Sequence, residues 1–296
     1  MSQKIINGDS ATVLKQFKDN TIDAVITDPP YGIEFLGKDW DRNTGAIDIW
    51  QECLRVLKPG GHLLAFSAAR TYHHLATNIE SVGFEIRDQI MWLYASGFPK
   101  AQQIKGHTGW KTALKPAHEP IVMARKPFPG STYNNMDRHG VGALNIDASR
   151  IESEPFEYCG NGRQRTTYAQ SEPAKWNDSD KQMIRNDKGR FPSNVLGEVA
   201  GYQKYFYCPK VSRRERMTFN NHPTVKPVAL MKYLIKLVAP EGSHIIDPFA
   251  GSGSTGMACR ELGRQFTGIE LDANYCDIAR RRIAATRTDP KNRLFE

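Results

Sequence analysis

The sequence predicts an open α/β sheet, because short apolar runs of strand length alternate with segments of helical periodicity. Residues 22–27 and 62–67 have the composition of buried strands, and 245–247 lead from a third apolar run into a glycine turn. Residues 46–57 carry apolar side chains at helical spacing. A chain of 296 residues suits one large domain of this class with an insertion, or two small domains.

The other elements follow from the same periodicities. A strand at 4–6 precedes a helix that we expect Ser10 to cap and that ends near residue 17. Residues 84–94 and 119–125 predict two strands that pair antiparallel at the edge of the sheet. Further helices are predicted at 70–81, from 227 onward and at 275–285, and a further strand at 266–270.

The most informative stretch is Asp28-Pro29-Pro30-Tyr31, which directly follows the strand at 22–27. Two consecutive prolines cannot continue a strand, because neither carries a backbone N–H. A carboxylate, a rigid carbonyl and an aromatic ring are thus presented at the strand's carboxyl end, where open α/β sheets bind ligands. Taken alone, these four residues also fit a plain turn with a surface acid and a packed tyrosine.

A second stretch, residues 247–253 (Asp-Pro-Phe-Ala-Gly-Ser-Gly), also leads from a strand through a turn into a helix. Glycines let backbone approach a ligand closely, and a helix N-terminus offers unpaired N–H groups. Glu270 ends the next strand 19 residues after Gly251, an interval at which an acid commonly binds ribose hydroxyls. The turn lacks the third glycine of the nicotinamide pattern and the lysine of a P-loop, which disfavours both of those sites.

Together these stretches resemble the S-adenosylmethionine-dependent DNA amino-methyltransferases, which methylate the exocyclic nitrogen of adenine or cytosine. Residues 28–31 match the catalytic motif of that family and residues 247–253 match its cofactor motif. The catalytic motif comes first along this chain, which is the order of the β class. Residues 222–227 (His-Pro-Thr-Val-Lys-Pro) are a further match, and similarity extends from Asn7 to the helix after Glu270.

The resemblance implies a Rossmann-like methyltransferase sheet, mostly parallel, of seven strands in an order near 3-2-1-4-5-7-6, with one antiparallel edge hairpin. It assigns catalysis to Asp28, Pro29, Pro30 and Tyr31. It assigns cofactor binding to Asp9, Thr224, Lys226, Pro227, Asp247, Phe249, Gly251, Ser252, Gly253 and Glu270. In that arrangement Asp9 lies near the cofactor's adenine, and Thr224, Lys226 and Pro227 lie near its methionine end. A turn residue at position 9 and a solvated lysine at 226 are the alternatives.

The chemistry of the catalytic motif follows from its atoms. An exocyclic amine is a poor nucleophile, because its lone pair is delocalised into the ring. Asp28 can accept one amino hydrogen and the carbonyl of Pro29 the other, and both bonds strengthen as the nitrogen gains positive charge. Tyr31 can stack on the base, which must be flipped out of the duplex. The acid at position 28 favours adenine N6, since a serine stands there in many cytosine enzymes.

Charge is distributed unevenly along the chain. Residues 100–221 carry 20 Lys and Arg against 12 Asp and Glu, which is the whole formal net charge of +8. A basic segment beside a neutral core indicates a polyanionic partner, here double-stranded DNA. We therefore divide the chain into a catalytic half at 1–126, a target-recognition insertion at 127–220 and a cofactor-binding half at 221–296. Candidate base-reading residues in the insertion are Asn134, Asn135, Asn161, Arg163, Gln164 and Arg165.

Other features limit the surroundings in which the protein works. The sequence has no apolar run of transmembrane length and no signal-peptide pattern near Met1, so we expect no membrane contact and a bacterial cytoplasmic location, the gene being bacterial or phage-borne. Five cysteines without C-x-x-C spacing predict free thiols. We expect no metal, and Arg280-Arg281-Arg282 is interpreted as a solvated helix face. Homodimerisation is compatible with the family.

Several functions remain open at this point. Cytosine N4 is the nearest alternative to adenine N6, because both are exocyclic amines whose delocalised lone pair needs the same two hydrogen-bond acceptors. RNA is a third possible substrate, because RNA adenine methyltransferases have related sites. A protein methyltransferase is a further alternative, because enzymes with a similar Asn-Pro-Pro-Tyr motif methylate a glutamine amide. A catalytically inactive DNA-binding protein with this fold is the alternative of a different class.

Overall fold

The structure is a computed structural model that describes residues 2–33, 43–94, 101–114, 116–161, 181–197 and 213–287. Its strands are β1 Gln3–Asn7, β2 Ile22–Thr27, β3 Leu57–Phe66, β4 Glu85–Leu93, β5 His118–Arg125, β6 Phe156–Asn161, β7 Lys181–Asn186, β8 Val195–Gly197, β9 His244–Asp247 and β10 Gln265–Glu270. Its helices are α1 Ser10–Leu14, α2 Ile47–Val56, α3 Tyr72–Ser81, α4 Thr132–His139, α5 Arg213–Arg216, α6 Val228–Val238, α7 Ser254–Glu261 and α8 Ala273–Ala285.

The main sheet has the strand order β1-β10-β9-β2-β3-β5-β4-β8 within the described residues. Strands β1, β10, β9, β2 and β3 are mutually parallel, and β5 is antiparallel to both of its neighbours. If β9 is counted as the first strand of the fold, the order from β1 to β4 is 3-2-1-4-5-7-6. This confirms the strand order that the resemblance implies.

The main sheet has eight strands within the described residues, one more than the seven predicted. Strand β8 pairs parallel with β4 and lies outside the predicted edge hairpin. It is only three residues long and comes from the irregular segment, so it has too few residues to show a strand period. Strands β6 and β7 pair only with each other, as a separate antiparallel hairpin.

Helices cover both faces of the sheet. On one face α6, α7 and α8 pack over the side chains of Ile26, Leu64 and Phe66. On the other face α1, α2 and α3 pack over Val25 and Leu63. Successive residues of β2 and β3 thus alternate between the two cores, as the pleat of a strand requires. All six residues of β2 are buried, which is typical of a central parallel strand.

Some boundaries differ from the predictions for local reasons. Helix α1 is capped by Asp9 instead of Ser10, because the Asp9 carboxylate accepts a hydrogen bond from the Thr12 N–H at 2.9 Å. Strand β3 begins at Leu57, five residues earlier than predicted, through Pro59 and two glycines. Its pairing with β2 shifts register there, which accommodates that segment as an irregularity of the ladder.

The beginning of the predicted insertion packs against the catalytic sheet. Asn135 of α4 is buried, and its amide donates hydrogen bonds to the carbonyls of Pro59 at 2.9 Å and Val141 at 2.6 Å. Asn135 therefore has a structural role and not the base-reading role for which it was a candidate. Arg163, Gln164, Arg165 and the side chain of Asn161 lie outside the described part of the chain, and the division into three segments stays a prediction.

Candidate functional site

The two motif turns meet at one edge of the sheet. Strands β2 and β9 pair in parallel, with Ala24 opposite Ile245 and Val25 opposite Ile246, so their carboxyl ends coincide. The hydroxyl of Thr27, the last residue of β2, donates a hydrogen bond to Asp247 Oδ1 at 2.7 Å. This side-chain bond directly joins the end of one motif strand to the first residue of the other motif.

A buried ion cluster surrounds Asp28. The ammonium of Lys226 lies 2.6 Å from Asp28 Oδ2, 3.0 Å from the hydroxyl of Tyr31 and 3.3 Å from Glu119 Oε2. The hydroxyl of Tyr31 is 2.7 Å from Asp28 Oδ1 and 3.0 Å from Glu119 Oε2. Lys226 also lies over the ring of Phe66, 4.8 Å from its centroid. Asp28, Tyr31 and Lys226 were predicted for the site, and Glu119 was not.

The protonation of the cluster follows from burial and charge. Burial alone would lower the pKa of Lys226, but the carboxylates of Asp28 and Glu119 outweigh it and hold that pKa above its usual value. The pKa of Tyr31 rises well above its usual value, first through burial and then through the same two carboxylates. Lys226 is therefore a cation and Tyr31 a neutral hydroxyl at physiological pH.

The acid of the second motif shapes its turn. Asp247 is buried, and its two oxygens accept hydrogen bonds from the hydroxyls of Thr27 and Thr255 and from the N–H of Phe249. Burial raises its pKa to about 6, although those three donors oppose the shift. The carboxylate thus binds the strand end, the turn and the start of α7 together.

The glycines of the turn are required by its backbone. Gly251 and Gly253 have φ values of +51° and +82°, which side chains rarely adopt. A Cβ at Gly253 would also lie 3.0 Å from the Cβ of Ala279, and one at Gly251 would lie 3.1 Å from the ring of His222. These residues keep the backbone of the turn close to α8 and to the segment that contains the His222–Pro227 motif.

Glu270 and Asp9 lie at the same edge. The N–H of Gly251 donates to Glu270 Oε2 at 2.8 Å, so the predicted acid and the predicted glycine turn are in direct contact. Burial raises the pKa of Glu270. Ser10, next to Asp9, donates a hydrogen bond to the carbonyl of Pro248 at 2.5 Å. Asp9, exposed at the start of α1, therefore lies beside the turn.

Comparison with known proteins gives the identity of the fold and motifs. A family model described as DNA methylase, for the N6 and N4 amino-methyltransferases, matches residues 22–281. The chain belongs to this family. The methylase is 28% identical over 294 residues to type II methyltransferase M.HpaI of Haemophilus parainfluenzae, covering 96% of this chain and 74% of that protein. It is also 28% identical to the DNA adenine methyltransferase YhdJ of Escherichia coli, covering 95% of this chain and 83% of that protein.

Solved structures agree with the fold of the methylase. The PvuII cytosine-N4-specific DNA methyltransferase superposes with a TM-score of 0.62 at 16% identity, covering 95% of this chain and 86% of that one. The M1.HpyAVI complex with S-adenosylmethionine superposes with a TM-score of 0.53 at 21% identity, covering 95% and 99% of the two chains. These structures show that the fold is shared. The family match over residues 22–281 makes the methylase an S-adenosylmethionine-dependent DNA methyltransferase.

The residues at the glycine turn fit that cofactor. The Gly251 N–H holds the carboxylate of Glu270 at 2.8 Å, and the further lone pairs of that carboxylate suit ribose hydroxyls. The absence of a Cβ at position 251 keeps the turn open beside His222, whose ring a Cβ would approach to 3.1 Å. Phe249 is half-buried, with its ring 5.9 Å from that of Trp50. Asp247 is less accessible, because both of its oxygens already accept hydrogen bonds within the chain.

Lys226 has protein partners that the sequence did not predict. Its ammonium has three hydrogens, and among the described residues it lies within reach of Asp28, Glu119 and Tyr31. A methionine carboxylate that binds this ammonium would have to share it with these acceptors. Thr224 and Pro227 precede α6 on the same segment. Contact of Thr224, Lys226 and Pro227 with the cofactor stays a prediction.

Sequence reasoning missed two site residues. Arg282 was expected on a solvated face, but it is buried, and its guanidinium donates to the carbonyl of Ser252 at 2.6 Å and of Glu215 at 2.8 Å. Its spacing from the buried Ala279 along α8 was the available signal. Glu119 begins a strand predicted to be antiparallel, which puts that strand's amino end at the carboxyl edge of the parallel strands.

Other predictions concern metals, membranes and thiols. Among the described residues, no group of three or more His, Cys, Asp or Glu side chains is arranged to hold a metal. None of the helices in this part of the chain is long and apolar enough to cross a bilayer. Cys53, Cys259 and Cys276 are free thiols, as predicted, and the structure shows that all three are buried. Cys208 and the side chain of Cys159 lie outside the described part.

Proposed function

We propose that the methylase transfers a methyl group to the exocyclic N6 of an adenine in duplex DNA, at specific sites and with the base flipped out of the helix. The observation that supports this most strongly is the meeting of Asp28 and Pro29 with the glycine turn at one sheet edge. A carboxylate and a rigid carbonyl are there held next to the segment that fits S-adenosylmethionine.

The Asp28 carboxylate is the group that prepares the amine. It accepts one N–H of the amino group and the Pro29 carbonyl accepts the other, which favours a tetrahedral nitrogen with a localised lone pair. S-adenosylmethionine supplies an electrophilic methyl group on a sulfonium. As the N–C bond forms and the C–S bond breaks, the nitrogen becomes positive and then loses one proton, which Asp28 accepts and passes to solvent.

The prolines and Tyr31 reduce the reorganisation that this step needs. Pro29 is buried and both prolines fix φ, so the carbonyl is already aimed when the base arrives. The hydrogen bond from Tyr31 to Asp28 fixes the ring beside the carboxylate, where it can stack on the flipped base.

Adenine is favoured over cytosine by the sequence relatives. YhdJ, which aligns with 95% of this chain, is named a DNA adenine methyltransferase. The cytosine-N4-specific PvuII enzyme matches in fold at 16% identity, so N4 of cytosine is the second candidate. Both substrates use the same acceptor pair, and the product therefore has to be identified chemically.

Duplex DNA is the proposed partner of the basic segment between residues 100 and 221. Lys and Arg side chains neutralise phosphates, and the two-stranded sheet of β6 and β7 belongs to this segment. We propose that it recognises the target sequence. The relatives come from Haemophilus and Escherichia coli, which favours work in a bacterial cytoplasm, and homodimerisation remains part of the proposal.

The test is methyl transfer to DNA by wild type and by Asp28→Ala, with Asp277→Ala as a matched control because Asp277 is an exposed acid on α8. Tritiated S-adenosylmethionine and unmethylated bacterial genomic DNA measure the transfer. Mass spectrometry of the nucleosides separates N6-methyladenine from N4-methylcytosine. We expect N6-methyladenine from wild type and from the control. We expect none from Asp28→Ala, which should still bind S-adenosylhomocysteine.

Three results would count against the proposal. Transfer surviving in Asp28→Ala would remove the catalytic assignment. N4-methylcytosine as the sole product would replace adenine with cytosine. Cofactor and DNA binding by wild type without any transfer would favour a DNA-binding protein that has lost catalysis.

A further inference from the structure

Glu119 has no role in the mechanism above, yet it contacts Tyr31 and Lys226, which both bind the Asp28 carboxylate. It is the second residue of β5, and because β5 is antiparallel to β3, the amino end of β5 lies at the edge where β3 ends. Glu119 Oε2 is 3.0 Å from the Tyr31 hydroxyl and 3.3 Å from the Lys226 ammonium. Its side chain is 21% exposed, so the carboxylate is largely shielded from water.

The charges of this cluster do not cancel. Among the described residues, Lys226 is the cation paired with both Asp28 and Glu119, so two carboxylates share one ammonium. The cluster thus holds one net negative charge. The methylated nitrogen becomes positive during transfer, and a residual negative charge beside it stabilises that state more than the neutral amine.

The hydrogen bonds of the cluster are also unbalanced, because the carboxylate acceptors outnumber the Tyr31 proton. The Tyr31 hydroxyl has one proton and two carboxylates within reach, Asp28 at 2.7 Å and Glu119 at 3.0 Å. Without the acceptor at position 119, Tyr31 and Lys226 would both be directed at Asp28. Each would then withdraw electron density from the carboxylate that has to accept the amine hydrogen.

We propose that Glu119 is a positioning residue that shares Lys226 and Tyr31 with Asp28 and thereby leaves Asp28 negative enough to activate the amine. This inference rests on the proposed function, because it deepens the role given to Asp28. Glu119 itself does not touch the substrate.

The variant that tests this is Glu119→Gln, which keeps the shape of the side chain and removes its charge. The matched control is Glu85→Gln. Glu85 lies at the other end of the same β4–β5 hairpin, opposite Arg125, whose guanidinium it binds at 2.7 Å. Both variants therefore lose one ion-paired carboxylate from the same hairpin, but only one loses it at the site.

Three quantities are measured for each protein: the initial rate of methyl transfer at saturating cofactor, the Kd for S-adenosylhomocysteine, and the midpoint of urea unfolding. For Glu119→Gln we expect a rate reduced on the order of tenfold to a hundredfold, the range set by a unit charge roughly 6 to 12 Å from the amine at an effective dielectric constant of about 20. Kd and the unfolding midpoint should stay near those of wild type. Glu85→Gln should retain the wild-type rate.

The split between kcat and KM distinguishes an electrostatic role from a structural one. A charge that acts on the transition state changes kcat and leaves KM for DNA near that of wild type. A site loosened by the loss of the contacts of Glu119 with Tyr31 and Lys226 would bind DNA more weakly and raise KM as well. We expect Glu119→Gln to lower kcat without raising KM for DNA.

The outcomes separate this inference from the proposed function. A wild-type rate in Glu119→Gln, or a slower rate accompanied by a lower unfolding midpoint and a raised KM for DNA, would overturn the role of Glu119 while wild type still methylates adenine. Absence of amine methylation by wild type itself would overturn the proposed function, and this inference with it.

Discussion

Replacing Asp247 with asparagine should stabilise the protein at neutral pH. The carboxylate of Asp247 is buried and accepts hydrogen bonds from Thr27, Thr255 and Phe249. Asparagine keeps an oxygen for Thr27 and Phe249, and the hydroxyl of Thr255 can rotate to accept from the new amide. The hydrogen bonds are therefore preserved, while the cost of burying a charge is removed.

The magnitude follows from the pKa of about 6, against an ordinary value of 3.8. This difference corresponds to about 3 kcal/mol at pH 7. The folded pKa lies above the unfolded one, so the folded protein binds the proton more tightly. The stability that protonation provides is present below pH 3.8 and is lost as pH rises through about 6. Between those values the wild type loses stability that Asp247→Asn does not lose.

Urea unfolding of both proteins at several pH values measures this directly. Subtracting the wild-type unfolding free energy from that of the variant removes contributions from other titrating groups. The difference should rise by about 2.4 kcal/mol between pH 4 and pH 7, since a small part of the full effect is already present at pH 4. If the difference in unfolding free energy stays constant or falls as pH rises, then burial of the ionised Asp247 carboxylate does not destabilise the folded protein. That result would refute this reasoning.

Two further predictions concern buried polar side chains. Arg282→Met should lower the unfolding free energy by about 2 to 4 kcal/mol, because the carbonyls of Ser252 and Glu215 lose the hydrogen bonds that the Arg282 guanidinium donates. The variant should also bind S-adenosylhomocysteine more weakly, which calorimetry measures. A wild-type Kd would show that the turn does not depend on Arg282. Asn135→Ala should cost about 1 to 3 kcal/mol in urea unfolding through the lost bond to Pro59, without changing affinity for DNA. Weaker DNA binding by a fully folded variant would restore Asn135 as a base-reading candidate.

The sequence was sufficient for most of the sheet, because parallel strands leave strong local signals. The strand before Asp28 and the strand before Asp247 are continuous apolar runs, and each ends in a turn that cannot continue it. Two such strands in one sheet have their carboxyl ends at the same edge. The meeting of the two motifs was thus predictable once the strands were placed side by side, which the resemblance provided.

Short or irregular elements were less accessible to sequence reasoning. Strand β8 is three residues long, and its place in the sheet depends on the partner that β4 offers. The cap of α1 was predicted at Ser10, but the local sequence does not show that the Ser10 hydroxyl has a distant partner. Ser10 binds the Pro248 carbonyl, which is 238 positions away, and this leaves the cap to Asp9.

The position of Lys226 shows most clearly what sequence reasoning lacked. A lysine before a helix is expected to bind a carboxylate, and the methionine end of the cofactor supplies one. The chain supplies two others, Asp28 and Glu119, and both lie within 3.3 Å of the ammonium. Asp28 is 198 positions from Lys226 along the chain, and Glu119 is 107 positions from it. Their distances to the ammonium are set only in the folded state, so the sequence does not show whether the lysine pairs with a ligand or with the protein.

A buried lysine between two carboxylates is costly, since each of the three ions loses hydration. An apolar cluster of the same volume would often be at least as stable. The proposed mechanism therefore explains the arrangement at Asp28 better than folding does, because it requires a fixed and incompletely neutralised carboxylate beside a nucleophile that becomes positive. On this argument, Glu119→Gln should reduce the rate of transfer without reducing stability.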